Sequence, residues 1–226
     1  MRLVLFDCDG TLVDSANFIH DCMVRTIDDF GYPVPDVAET KAIIGLTLDV
    51  AIAELLQRPV DAEVTAMTAH YQKTFRAIRE RGNFHEPMFD GMAEVLAGLA
   101  AEEETVLGVV TGKSRRGLAS VLATHGLERT FITMRTADDC PSKPHPAMVL
   151  ECCRETGFEP HRTVVVGDAI HDMAMAKAAG ARALGVAWGY AEPNALAAAG
   201  ADAIAPAVAD LRALIDEAVP MGADHA

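Results

Sequence analysis

Asp7 and Asp9 are carboxylates two residues apart, set directly after the apolar run Leu3-Val4-Leu5-Phe6. Such a run is the right length for a buried strand, so both acids emerge at its carboxyl end, where Gly10 and Thr11 turn the chain away. In open α/β sheets that end is where ligands bind. Two acids so placed must repel each other or share a cation. Mg²⁺ is the cation expected, because it takes hard oxygen ligands and needs few carboxylates. Thr111 and Gly112 follow a second run over 105–110, Lys143 stands in a Pro-rich loop ahead of a helix, and Asp168 and Asp172 follow a third run over 163–166. If the strands are parallel, all of these meet at one edge. A carboxylate pair, a hydroxyl with free backbone N–H groups, a cation and further acids form an inventory for phosphoryl transfer. Asp7 can attack phosphorus and form an aspartyl-phosphate. A metal would neutralise the approach of one anion to another, while Lys143 and the N–H groups near Gly112 would hold the charge that develops.

The elements that must position these residues can be read from apolar spacing. Phe18, Ile19, Cys22, Met23, Thr26, Ile27 and Phe30 recur at helical spacing behind a cap at Asp14 or Ser15, and Gly31, Pro33 and Pro35 end that helix. Further helices are expected over about 36–42, 47–56 and 62–80, so that residues 15–85 are almost wholly helical. From residue 86 the pattern changes. Strands over 105–110, 131–134, 163–166, 183–187 and 203–205 alternate with helices over 92–101, 115–125, 147–156, 170–179, 194–199 and 207–218, and the last six residues fray. Alternation of this kind implies an α/β fold with a doubly wound parallel sheet, covered on both faces and with the first strand near its middle. Residues 1–14 and 86–226 then form a Rossmann-like core domain, and residues 15–85 an inserted α-helical cap domain above the carboxyl edge.

The bulk composition narrows the partners. In 226 residues, half are hydrophobic and the formal net charge is −14, which argues against nucleic acid because phosphate backbones select basic surfaces. A phosphorylated small metabolite needs only a local cluster of positive groups. The five cysteines are odd in number and lack a C-x-x-C pair, which suits a reducing, cytoplasmic setting. No signal peptide and no membrane-spanning stretch is expected.

Four segments in order carry a family resemblance: Asp7-Cys8-Asp9-Gly10-Thr11-Leu12-Val13-Asp14-Ser15, Val110-Thr111-Gly112-Lys113-Ser114, Ser142-Lys143-Pro144-His145-Pro146, and Val166-Gly167-Asp168-Ala169-Ile170-His171-Asp172-Met173. Together they resemble the haloacid dehalogenase-like superfamily of phosphohydrolases, over residues 2 to about 216. The helical insert, the loop Ile44-Gly45-Leu46-Thr47-Leu48 and the late Trp188-Gly189-Tyr190 are similar to the phosphoglycolate phosphatase subgroup. The resemblance implies that Asp7 is the nucleophile and a Mg²⁺ ligand. It implies that Asp9 protonates the leaving oxygen, then activates water, and meets the metal through its backbone carbonyl. Thr111 and Gly112 would bind the phosphoryl group, and Lys143 would neutralise it and orient Asp7. Asp168 would be the carboxylate ligand, and Asp172 would hold Lys143 or metal-bound water. Ala169 departs from the Thr or Ser usual there, and Ala147 from a frequent acid.

Other residues read as ordinary. Cys8 and the methionines Met67, Met88, Met92, Met173 and Met175 are expected to pack, His171 to lie on a helix surface, and Gly45 to bend the cap. Lys113, Arg115 and Arg116 could form an anion patch at the mouth, but such a run is more often the solvated start of a helix and is left outside the site. The function expected is a Mg²⁺-dependent phosphatase for a small phosphate monoester, phosphoglycolate or a related sugar or nucleoside phosphate, acting as a monomer or homodimer. The alternatives are a phosphosugar mutase, disfavoured because residues 44–48 lack a basic side chain, and a non-catalytic phosphate-binding protein. Dehalogenation is disfavoured because a halide leaving group would leave Asp9 idle.

Overall fold

Six strands lie side by side in one parallel sheet in the computed structural model, which describes residues 1–80 and 86–220. They are β1 (Arg2–Phe6), β2 (Thr105–Val110), β3 (Thr133–Arg135), β4 (Thr163–Gly167), β5 (Arg182–Val186) and β6 (Ala203–Ala205). The order is β3-β2-β1-β4-β5-β6, and every neighbouring pair is parallel. Chain direction across the sheet reverses at β1, and ligands of doubly wound sheets bind in the crevice beside such a switch point. Phe6 is in register with Val109 on one side and Val166 on the other, so the residues that follow these three strands leave the sheet together.

The side chains of β1 explain its central place. Val4 and Phe6 enter one apolar cluster, Leu3 and Leu5 another, and all four are fully buried. The first cluster is completed by α5 (Met92–Ala100), α6 (Arg115–His125) and α10 (Leu211–Ala218), the second by α7 (Ala147–Thr156), α8 (Ile170–Ala179) and α9 (Pro193–Ala198). A strand with both faces covered has to be continuously apolar. The four helices α1 (Ala16–Asp29), α2 (Val37–Ile43), α3 (Leu48–Leu55) and α4 (Ala62–Glu80) are built around a third cluster, which includes Met23, Ile27, Ile52, Val64 and Met67.

Several details differ from the sequence reading. β3 begins at Thr133 rather than 131: Phe131 turns inward against the Phe6 ring at 6.4 Å, and Ile132 is exposed. The last helix starts at Leu211 after a 3-10 turn over Val208–Asp210, and another such turn, Pro160–Arg162, precedes β4. Ser15 occupies the N-cap of α1 but makes no side-chain cap bond. Instead the Ser15 and Ala16 N–H groups donate to the Tyr190 hydroxyl, at 2.9 and 3.0 Å, and of the two cap candidates it is Asp14 whose Oδ1 also accepts from the Ala16 N–H, at 3.4 Å. The expected fraying of the last six residues and the end of the helical insert at 81–85 fall outside the described residues. Among the described residues, no helix is long and apolar enough to cross a membrane, and all five cysteines are buried and unpaired.

Candidate active site

Asp7, Lys143, Asp168 and Asp172 come together at the carboxyl edge of β1 and β4, all of them buried. Asp7 is the first residue beyond β1 and is fixed by its N–H, which donates to the Val166 carbonyl at 2.9 Å. Lys143 reaches in from the loop before α7. Its Nζ lies 2.7 Å from Asp7 Oδ1 and donates to Asp172 Oδ1 at 2.6 Å. Asp168, just past β4, accepts from the Thr11 hydroxyl on one oxygen and the Tyr190 N–H on the other, both at 2.9 Å. Asp172 sits in the first turn of α8, and its second oxygen accepts from the Ala169 N–H at 3.1 Å. Ala169 cannot return a side-chain cap, so the carboxylate of Asp172 alone ties off this helix start.

Asp168 is wedged by glycines. A Cβ on Gly10, whose φ is +86°, would lie 2.2 Å from Asp168 Oδ2, and one on Gly189 would lie 2.1 Å from Asp168 Cβ. Any side chain at either position would displace the acid.

Burial and mutual repulsion disfavour the charged forms of Asp7 and Asp168. Burial pushes the Asp7 carboxyl up to about 7, with Lys143 opposing and Asp172 and Asp9 adding to the rise. Burial raises Asp168 well above the usual carboxylate range, helped by Asp7 and Asp172. Burial works against a charged Lys143, but Asp172 and Asp7 outweigh it and raise the ammonium pKa. One oxygen each of Asp7, Asp168 and Asp172 lie within 4.8 Å of one another, and the buried Asp7 Oδ2 has no hydrogen-bond partner. Clustered hard oxygen donors with an unsatisfied carboxylate oxygen fit a divalent cation such as Mg²⁺.

Asp9 has a different environment, and here the sequence reading needs correction. Its Oδ1 accepts from the Ser15 hydroxyl at 2.6 Å and from Lys113 Nζ at 2.7 Å. The same ammonium bonds Glu86 Oε1 at 3.0 Å and lies 5.9 Å from the centre of the Phe75 ring. Lys113 is therefore no solvated helix residue: its side chain is 8% exposed. Burial disfavours its charge, yet Asp9 and Glu86 prevail and raise its pKa, while burial raises Glu86. The one signal that could have found it is position, since Lys113 stands two residues beyond Thr111 as Asp9 stands two beyond Asp7. Arg115 and Arg116 are exposed, as expected of a helix start. His171 is half-buried rather than on the surface, and burial lowers its pKa.

Thr111 follows β2 directly, buried, with its N–H donating to the Arg135 carbonyl. Its hydroxyl oxygen accepts from the Lys113 N–H at 3.2 Å. Gly112 lies beneath the loop joining α2 to α3: a Cβ there would come within 2.3 Å of the Leu46 carbonyl oxygen and 2.5 Å of that of Gly45. Gly45 bends that loop with φ +101°, and the Thr47 N–H fastens it to the Ser142 hydroxyl at 2.9 Å, one residue ahead of Lys143. Gly112→Ala is expected to lower stability by about 1–3 kcal/mol, because backbone carbonyls must move to admit the methyl. Urea unfolding measures this; a variant as stable as the parent would mean the loop yields freely.

A cleft of about 800 Å³ opens between the helical block and the sheet edge. It meets the residues above at Asp9, Gly112 and Lys113, and its far wall is formed by α1, α4 and the loop carrying Gly45.

Comparison with known proteins agrees with this geometry. The sequence pattern of the family described as haloacid dehalogenase-like hydrolase matches residues 4–186. A protein named probable phosphatase IndB from Dickeya dadantii is 38% identical over 201 residues, covering 87% of this chain and 86% of its own. A phosphoglycolate phosphatase from Chromobacterium violaceum is 30% identical, covering 93% of this chain and 95% of its own. Among solved structures, a hydrolase from Pseudomonas syringae superimposes with a TM-score of 0.83 at 23% identity, covering 97% of this chain and all of that one.

Proposed function

Because this chain belongs to the haloacid dehalogenase-like hydrolases, we propose that it is a Mg²⁺-dependent phosphatase of small phosphate monoesters, working through an aspartyl-phosphate on Asp7. The observation that carries the reading is the buried set at the sheet edge: an unpartnered carboxylate oxygen on Asp7, the Lys143 ammonium beside it, and Asp168 and Asp172 within reach of a shared cation. The relatives named phosphatases support the class of reaction. Buried, unpaired cysteines support a cytoplasmic setting. The loop over 44–48 carries no basic side chain, which favours hydrolysis over a mutase reaction.

Asp7 attacks phosphorus through a carboxylate oxygen, and the bond from phosphorus to the leaving alcohol breaks. Asp9 delivers a proton to that leaving oxygen. In the second half, Asp9 takes a proton from water as the water oxygen attacks the phosphorus. The bond to Asp7 then breaks, which frees inorganic phosphate and restores the carboxylate. Lys143 holds Asp7 in line and balances negative charge on the phosphoryl oxygens, which the Thr111 hydroxyl and the Gly112 N–H also cradle. Ser15 and Lys113 fix Asp9 from two directions. The loop at Gly45 and Leu46 closes over Gly112 and excludes bulk water. Mg²⁺ held by Asp7, Asp168 and the Asp9 carbonyl, with Asp172 behind, would neutralise the meeting of two anions.

The test is phosphate release from a panel of monoesters before and after chelation. EDTA is expected to reduce turnover to background, and excess Mg²⁺ to restore it. Turnover indifferent to the chelator would sink the metal assignment.

A further inference from the structure

We infer that the leaving alcohol is of sugar size and carries a second anionic group, carboxylate or phosphate, which Arg76 and Arg116 receive; the inference rests on the phosphatase reading above. The cleft touches the site at Asp9 and Gly112 and does not include Asp7, Asp168 or Lys143 in its walls. Asp9 is the group that serves the leaving oxygen, so the cleft holds whatever that oxygen is attached to. Its volume, about 800 Å³, lies in the range that encloses ligands far larger than a two-carbon acid. Ile19, Met23, Ile43, Leu46, Tyr71 and Phe75 give it an apolar wall that a sugar ring or similar skeleton can lie against.

Charge decides the rest. Arg76 of α4 and Arg116 of α6 face this cleft from opposite sides, both exposed, and neither makes an ion pair among the described residues. On a chain with net charge −14, this lining carries four cations, Arg76, Arg79, Lys113 and Arg116, against three acids, Asp9, Asp49 and Asp138, which makes the cleft a local positive exception. The acids that share the cleft are already engaged: Asp138 accepts from the Arg115 N–H, and Asp49 from the Thr47 hydroxyl and the Val50 N–H. Arg79 also lines the cleft, and its charge acts on Glu86. Guanidinium groups bind carboxylate and phosphate in the same forked geometry, so the second anion is defined by charge and by its distance from the ester.

Matched probes test this with the full chain and Mg²⁺. Phosphogluconate is compared with glucose phosphate, both esterified at the terminal primary hydroxyl, and fructose bisphosphate with fructose monophosphate. Phosphoglycolate serves as the short acidic control. The acidic member of at least one pair is expected to exceed its neutral partner in kcat/KM by about tenfold or more, the size of one charge-assisted hydrogen bond. The pair that shows it identifies the anion as carboxylate or phosphate. Arg76→Ala combined with Arg116→Ala should bring that ratio close to one, mainly through KM, with the melting temperature checked to be that of the parent. Turnover with no acidic preference, a preference for phosphoglycolate over both acidic sugars, or a ratio untouched in the double variant overturns the inference and leaves the phosphatase reading standing. Absence of phosphate release from every compound overturns both.

Discussion

Asp7→Asn is expected to lower kcat on the order of 10⁴-fold or more, the scale seen when a covalent nucleophile is removed, without loss of folded structure. The amide keeps the shape of the side chain but cannot attack phosphorus. It also removes one negative charge from three acids whose oxygens lie within 4.8 Å. Lys143 keeps its 2.6 Å bond to Asp172, so no buried cation is stranded. Because burial outweighs the help that Lys143 gives the Asp7 carboxylate, the metal-free variant should melt at the same temperature as the parent or higher. Active sites commonly hold groups that cost stability. Steady-state phosphate release and a thermal melt measure the two halves. A variant with a rate near that of the parent would rule out the covalent route.

The second large effect is expected at Lys113, in stability. Lys113→Met leaves the Asp9 and Glu86 carboxylates buried without the ammonium that now sits 2.7 and 3.0 Å from them. Breaking a buried pair from one side costs about 3–5 kcal/mol, chiefly through the charge left behind. Adding Glu86→Gln to Lys113→Met should return part of the loss, because it removes one of the stranded charges, and the coupling can be read as a double-mutant cycle in urea. A single variant that loses less than about 1 kcal/mol would mean the pair is no better than a surface one. Turnover should fall as well, since Asp9 would keep only the Ser15 hydroxyl on that oxygen.

The contrast between Asp7 and Lys113 shows what the sequence could and could not convey. Asp7, Asp168 and Thr111 were legible because each directly follows a short apolar run, and parallel strands deliver their ends to one edge whatever the details of packing. Long amphipathic segments were equally plain: α4 runs over Ala62–Glu80 as its spacing implied. Lys113 was hidden because it begins a basic run ahead of a helix, and its acid partners are distant in sequence. Glu86 sits on the return from the helical block and Asp9 on the departure, so only the folded path brings them to one ammonium. The Ser15 cap failed for a related reason, since its hydroxyl bonds Asp9 and Tyr190, far along the chain, takes over the helix start. The cleft had a partial signature in Thr68, Gln72, Arg76 and Arg79, a stripe on one side of α4, but no periodicity reveals that this stripe looks into a hollow.

The apolar cluster of the four inserted helices contains none of the residues of the two clusters that sandwich the sheet. Side chains that share no packing partners change stability nearly independently. Phe75 apart, whose ring lies 5.9 Å from the Lys113 ammonium, the acids at the strand ends can therefore stay fixed while α4 is rewritten, and a sequence can drift toward a new alcohol without first dismantling its chemistry. In the laboratory, a combinatorial library at positions 68, 72, 76 and 79, all lining the cleft, should retain folded members at a high rate. That makes those four positions an economical place to select for new selectivity.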